Sequence, residues 1–127
     1  MSRRGMSARA KLLTRLTPAL DAIKERDAAA LRDKQAAVAE IERDIAATHA
    51  AVRASAASLD LGDLTGRLAQ SRFETASAAR VEALTEMLAL RRAEADTARA
   101  ALARSHGAVE GCERLIKDDQ PPPKRGG

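Results

Sequence analysis

Residues 58–66, Ser58-Leu59-Asp60-Leu61-Gly62-Asp63-Leu64-Thr65-Gly66, decide how this chain folds. Two glycines, two aspartates and a threonine fall within nine residues, the strongest break inside a chain otherwise rich in helix formers. Gly62 suits the C′ position that ends a first helix, and Asp63 or Thr65 suits the cap of a second. A short break between two long amphipathic helices makes an antiparallel αα-hairpin.

Upstream of the break, large apolar residues stand at Leu13, Leu16, Leu20, Ile23, Leu31, Val38, Ile41, Ile45, Val52 and Leu59. With Asp27, Lys34, Thr48 and Ser55 filling the weaker places, the steps alternate between three and four, which is a heptad seam. Two successive steps of four, Ile23 to Asp27 to Leu31, read as a stutter that relaxes the supercoil locally. Downstream, the seam runs Val81, Leu84, Leu88, Arg91, Ala95, Ala98, Leu102, Ser105, Val109, Cys112 and Ile116. Leu64, Leu68, Thr75 and Ala78 keep the spacing one residue out of frame, so a second discontinuity is expected near Ala79.

Reflection about the break pairs residues whose numbers add to roughly 125. Ile41 then meets Leu84, Val38 meets Leu88, Ile23 meets Leu102, Leu16 meets Val109 and Leu31 faces Ala95. The expected fold is therefore all-α, a long two-helix antiparallel coiled-coil hairpin. Its parts are a basic N-terminus over 1–7, a helical hairpin over 8–117 and a Pro-rich tail over 118–127 that is expected to be disordered. Within the hairpin, helix 1 is expected at about 8–59, the turn at 60–66 and helix 2 at about 67–117. Helix 2 would be on the order of 75 Å long at ~1.5 Å per residue. Pro18 allows two starts for helix 1. Thr17-Pro18 reads as a cap and first residue, while Leu13 and Leu16 favour a kinked helix that begins near Ser7.

Composition supports the same reading. Of 127 residues 30 are Ala, Phe73 is the single aromatic and charged residues make up 31%, so bulk for a globular core is lacking while helix formers abound. The net charge of +4 sits at the ends. Residues 1–15 carry five bases and no acid, residues 16–112 thirteen bases against fifteen acids, and residues 113–127 four bases against three acids. A basic end can meet nucleic acid, anionic lipid or an acidic protein surface. One cysteine, Cys112, excludes an intramolecular disulfide and suits a reducing cytosol. No signal-peptide pattern is evident. The apolar stretch from Leu12 to Ile23 is interrupted by Arg15, Pro18 and Asp21, so no membrane span is expected and the protein reads as cytoplasmic.

No catalytic constellation stands out. His49 and His106 belong to different helices, no His or Cys pair has metal-ligand spacing, and no phosphate-loop pattern occurs. Carboxylate pairs such as Glu40/Asp44 and Glu82/Glu86 lie on open helix surface. The expectation is a non-enzyme without cofactor, metal or small-molecule substrate. Cys112 reads as a small seam residue, and Glu94 and Asp96 as solvated. Phe73 has two readings, a cover over the seam beside Val52 or an exposed aromatic anchor for a partner. Arg9, Lys11 and Arg15 form a basic cluster that reads either as a solvated terminus or as a docking surface for an acidic partner. Nucleic acid is the weaker alternative, since the cluster has no aromatics beside it to stack on bases and no reading motif.

The layout resembles a known family. The basic start Lys11-Leu12-Leu13-Thr14-Arg15-Leu16, the Ala/Glu/Arg-rich helix pair, and the segments Leu90-Arg91-Arg92-Ala93-Glu94-Ala95 and Glu113-Arg114-Leu115-Ile116-Lys117 are similar in pattern to the flagellar FliJ family and its type III secretion counterparts. The likeness covers most of residues 8–117; Pro18 and the scarcity of aromatics depart from it. It implies a stalk at an export ATPase ring that also contacts the membrane export gate and export chaperones. Arg9, Lys11 and Arg15 would then serve the ATPase end and Phe73 the gate, with the protein peripheral at the inner membrane through its partners. The rival expectation is a homo-oligomeric coiled-coil scaffold in which two hairpins pair.

Overall fold

A computed structural model describes residues 7–60 and 63–119. Two helices account for nearly all of them: α1, Ala8–Ala57, and α2, Leu64–Asp118. The fold is all-α, a helical hairpin, and by contacts it divides into two compact units. The described residues within 33–96 form a turn unit; those of 7–32 with 97–119 form a terminal unit.

In the terminal unit, Ser7 caps α1. Its Oγ accepts from the Ala10 N–H at 3.0 Å and its carbonyl from the Lys11 N–H at 3.0 Å, so two donors of the first turn are satisfied. The Ser7 hydroxyl also donates to the Asp119 carboxylate, tying the start of α1 to the end of α2. Helix 1 therefore begins before Pro18 and runs through it. A proline inside a helix removes one donor and typically costs ~3 kcal/mol. Pro18 lies on the exposed side, where water can substitute for the missing bond. The turn before it is reinforced at the Leu13 carbonyl, which accepts from Thr17 Oγ1 at 3.1 Å and from Cys112 Sγ at 3.3 Å. Cys112 is buried against that turn, the place expected for a small seam residue.

In the turn unit, α1 ends at Ala57, with Ser58 and Leu59 donating back to Ser55 and Ala56. Asp63, rather than Thr65, caps α2: its Oδ1 accepts from the Thr65 N–H at 3.0 Å and its carbonyl from the Arg67 N–H at 3.0 Å. A Cβ on Gly66 would meet the Asp63 carboxylate at 3.0 Å, so glycine leaves room for the capping group. Gly62, the expected C′ residue, lies outside the described residues.

Burial fixes the heptad frame. On α1 the less exposed positions include Ala10, Leu13, Thr17, Leu20, Lys24, Asp27, Leu31, Lys34, Val38, Ile41, Ile45, Thr48, Val52, Ser55 and Leu59, in unbroken steps of three and four. The expected stutter is absent. Thr17 and Lys24 occupy the seam, and Leu16 and Ile23 are 45% and 40% exposed. The reason lies in the partner helix. Leu102, Ser105, Val109, Cys112 and Ile116 keep one phase, and a stutter in α1 alone would have thrown the two seams apart.

The second expected discontinuity is absent too. The α2 frame continues back from Leu84 to the buried Ser77 and Gln70, while Leu64, Leu68, Thr75 and Ala78 are exposed. Polar residues hold these places because they find partners. The Ser55 hydroxyl donates to Gln70 Oε1, and Gln70 Nε2 donates to Glu74 at 3.0 Å.

The best-packed layer of the turn unit is Ile41, Leu84 and Leu88, with Val38 and Ile45 against it, as the reflected pairing anticipates. In the terminal unit the buried set is small side chains, Ala10, Ser105 and Cys112, with Val109. Small residues contribute little apolar area at ~25 cal/mol per Å², so this unit is held by less hydrophobic free energy.

Candidate partner-binding surfaces

The heptad frame sorts the remaining residues into columns seven apart along each helix. In the terminal unit a groove of about 290 Å³ is lined by Leu20, Ile23, Asp27, Ala101, Arg104, Ser105 and Ala108. It places Ile23 of α1 on the same side as Ala101 and Ala108 of α2. Extending those columns by sevens adds Arg9 and Leu16 on α1 and Leu115 on α2, and the adjoining α1 column holds Leu12, Ala19 and Arg26. Leu12, Leu16, Ile23 and Leu115 are all exposed, so this side of the terminal unit is apolar with arginines at its margin. None of Arg9, Arg26 and Arg104 is held in an ion pair among the described residues.

The basic cluster expected at the start of the chain is thereby divided. Arg9, Lys11 and Arg15 are all exposed on the first two turns of α1, but only Arg9 belongs to the apolar side. Lys11 and Arg15 project from other columns. The opposite side of this unit carries Asp21, Glu25 and the surface pair His106–Glu110, whose Nε2 and Oε1 are 3.0 Å apart.

In the turn unit, a groove of about 270 Å³ lined by His49, Ala78 and the seam residues between them marks one side, which also holds the Arg92–Glu42 ion pair at 3.7 Å. The other side is built from the α2 column Phe73, Arg80, Met87 and Glu94, its neighbour Leu90, and the α1 columns with Asp44, Asp33 and Glu40. Phe73 is 39% exposed and stands beside the seam, not in it; Gln70 and Ser77 take the seam positions on either side. From this flanking place the ring is partly covered and partly open to solvent, so the cover and anchor readings both start from the same position. Phe73, Met87 and Leu90 are exposed apolar side chains of this side; Arg80 stands between Phe73 and Met87 in their own column, and the carboxylates of Asp33, Glu40 and Asp44 lie on the α1 columns.

One electrostatic cluster escaped the sequence reading. Lys34 and Arg91 are both seam positions, and Glu94 bridges them at 3.2 Å and 2.9 Å. Glu94 is thus not simply solvated. Its carboxyl is held below its ordinary value first by the Lys34 hydrogen bond; desolvation opposes this, and the charges of Arg91 and Lys34 add to the lowering. The signal was present in the numbers: positions 34 and 91 are reflected partners, so two cations had to share one layer, and a carboxylate three residues from Arg91 is the group that can separate them.

Among the described residues, no group of three His, Cys, Asp or Glu converges as a metal site, and no helix is long and apolar enough to cross a membrane. What the arrangement offers chemically is surface: two helical faces with exposed apolar side chains and charge of opposite sign. No family model, curated protein or solved structure matches the chain.

Proposed function

We propose that this chain is a non-enzymatic, cytoplasmic coiled-coil adaptor, and in its sharpest form the stalk component of a flagellar or type III protein export apparatus. The observation that carries the reading is the continuous heptad hairpin with large apolar side chains left outside its seam: Leu12, Leu16, Ile23 and Leu115 in one unit, Phe73, Met87 and Leu90 in the other. Exposed apolar patches on helices, flanked by charge, mark protein interaction sites. In this reading Arg9, Lys11 and Arg15 engage an acidic surface of the export ATPase, and Phe73 contacts the export gate or an export chaperone. Charge at the ATPase contact raises the association rate and makes it salt-dependent.

The test is binding and ATPase stimulation with purified export ATPase at 50 and 500 mM NaCl. The reading expects binding that weakens with salt, is lost when Arg9, Lys11 and Arg15 are all changed to Glu, and survives Phe73→Ala. Absence of binding at low salt, or equal binding by the charge-reversed variant, refutes the stalk assignment.

A further inference from the structure

We propose that the apolar, basic face of the terminal unit takes the apolar, acidic face of the turn unit of a second copy of this chain. The proposal goes beyond the stalk reading and does not depend on it. Its starting point is that each unit leaves large apolar side chains outside its own seam.

The two faces match in three respects. Each presents large apolar groups on a ground of alanines: Leu16, Ile23 and Leu115 over Ala101 and Ala108 in one, Phe73, Met87 and Leu90 beside Ala76 and Ala83 in the other. Each is a side of a two-helix pair, so apposing them makes a four-helix layer, the arrangement in which amphipathic helices bury a second face. Their margins carry opposite charge. Arg9, Arg26 and Arg104 border the first; the second carries Asp33, Glu40 and Asp44 against Arg80, an acidic balance. Like faces of two copies would instead bring arginine to arginine or carboxylate to carboxylate, so the charges select the unlike pairing. A second copy thus supplies a partner of the required shape and charge. An anionic membrane fits less well. The terminal groove has the Asp27 carboxylate among its lining residues, and its face has no aromatic to anchor at a lipid interface.

The experiment is sedimentation equilibrium of the full chain from 5 to 500 µM, at 50 and 500 mM NaCl, with helicity checked by circular dichroism. The proposal expects a concentration-dependent dimer whose dissociation constant rises at least tenfold at the higher salt. The variant Arg26→Glu/Arg104→Glu and the variant Glu40→Lys/Asp44→Lys should each associate at least tenfold more weakly alone. Mixed in equal amounts they should restore a heterodimer, because each now offers the charge the other lacks. That rescue separates recognition from simple destabilisation. Leu16→Ser/Ile23→Ser should be monomeric throughout with its helicity intact. A protein that stays monomeric at 500 µM and low salt overturns the proposal. So does a dimer indifferent to both reversals, or a mixture that fails to restore association. Co-sedimentation with phosphatidylglycerol vesicles by a chain that is otherwise monomeric would also overturn it, in favour of a lipid surface.

Discussion

Leu84→Ala and Leu90→Ala form a matched pair that tests the heptad frame by energy. Both leucines lie on α2 within two turns of each other, and both substitutions replace one good helix former by another, so helix propensity hardly changes. Leu84 is 8% exposed and packs with Ile41 and Leu88, whereas Leu90 is 65% exposed. Truncation at 84 removes three buried carbons at ~0.8 kcal/mol each, roughly 2.4 kcal/mol before any cavity term. The cavity term should be small, because a two-helix layer is open at its flanks and can collapse. A total near the lower end of the ~2–5 kcal/mol range for buried leucines follows. For a chain of this size that corresponds to a fall in Tm of roughly 8–12 °C. Truncation at 90 should cost no more than ~0.5 kcal/mol and leave Tm within a few degrees. Thermal melts followed at 222 nm, with urea titrations as a check, measure both. Equal losses in the two variants would refute the frame, since the side of α2 that carries Leu90 would then be as buried as the seam.

Three further outcomes follow from the same geometry. Gln70→Leu, placing an apolar side chain in a buried seam position, should raise stability by about 1 kcal/mol, while Leu68→Ser should leave the urea midpoint unchanged; the reverse result would restore the frame in which Leu68 is buried. Pro18→Ala returns a backbone donor to the interior of α1 and should stabilise the chain by about 1–3 kcal/mol in chemical denaturation; no gain would mean the helix is already relaxed at Pro18. Glu94→Ala leaves Lys34 and Arg91 facing each other, so Tm should fall at 50 mM NaCl and recover most of the loss at 1 M, which a packing defect would not do. Since the Glu94 carboxyl is lowered on folding, its contribution is present above the ordinary glutamate value and fades as pH falls below about 4.5; the difference in Tm between wild type and Glu94→Gln should shrink over that range.

The hairpin was legible from the sequence because its evidence is redundant. The break at 58–66 and the reflected match of Ile41 with Leu84 and Val38 with Leu88 point the same way, and the structure packs those residues together. The phase of the seam in the opening turns of α1 and α2 was not legible. There the large residues, Leu16, Ile23, Leu64 and Leu68, are the exposed ones, and Thr17, Lys24, Gln70 and Ser77 occupy the seam. A hydrophobic pattern read along one helix gives weight to size alone. The structure also weighs the partner helix, which holds a single phase, and hydrogen bonds such as Ser55 to Gln70 that make a polar seam residue tolerable. The same shift explains the surfaces. With Leu16 and Ile23 assigned to the seam, Leu12 and Leu115 stand as isolated apolar residues, and only the corrected frame shows Leu16, Ile23 and Leu115 gathered on one side with arginines around them. Phe73 illustrates the point in reverse, since its 39% exposure follows from the one-residue change of frame that buries Ser77.

Every surface described depends on α1 and α2 of one molecule pairing in this register, and a disulfide between positions 41 and 84 measures that directly. In a Cys112→Ser background, the double variant Ile41→Cys/Leu84→Cys should oxidise in dilute solution to a monomeric, intramolecularly closed species, seen as an unchanged mass and a faster band on non-reducing gels. The control pair Ile41→Cys/Leu90→Cys, which joins the seam to an exposed position, should stay reduced under the same conditions. Crosslinks that form only between molecules, or closure of the control pair as readily as of 41 with 84, would contradict the hairpin and its frame together.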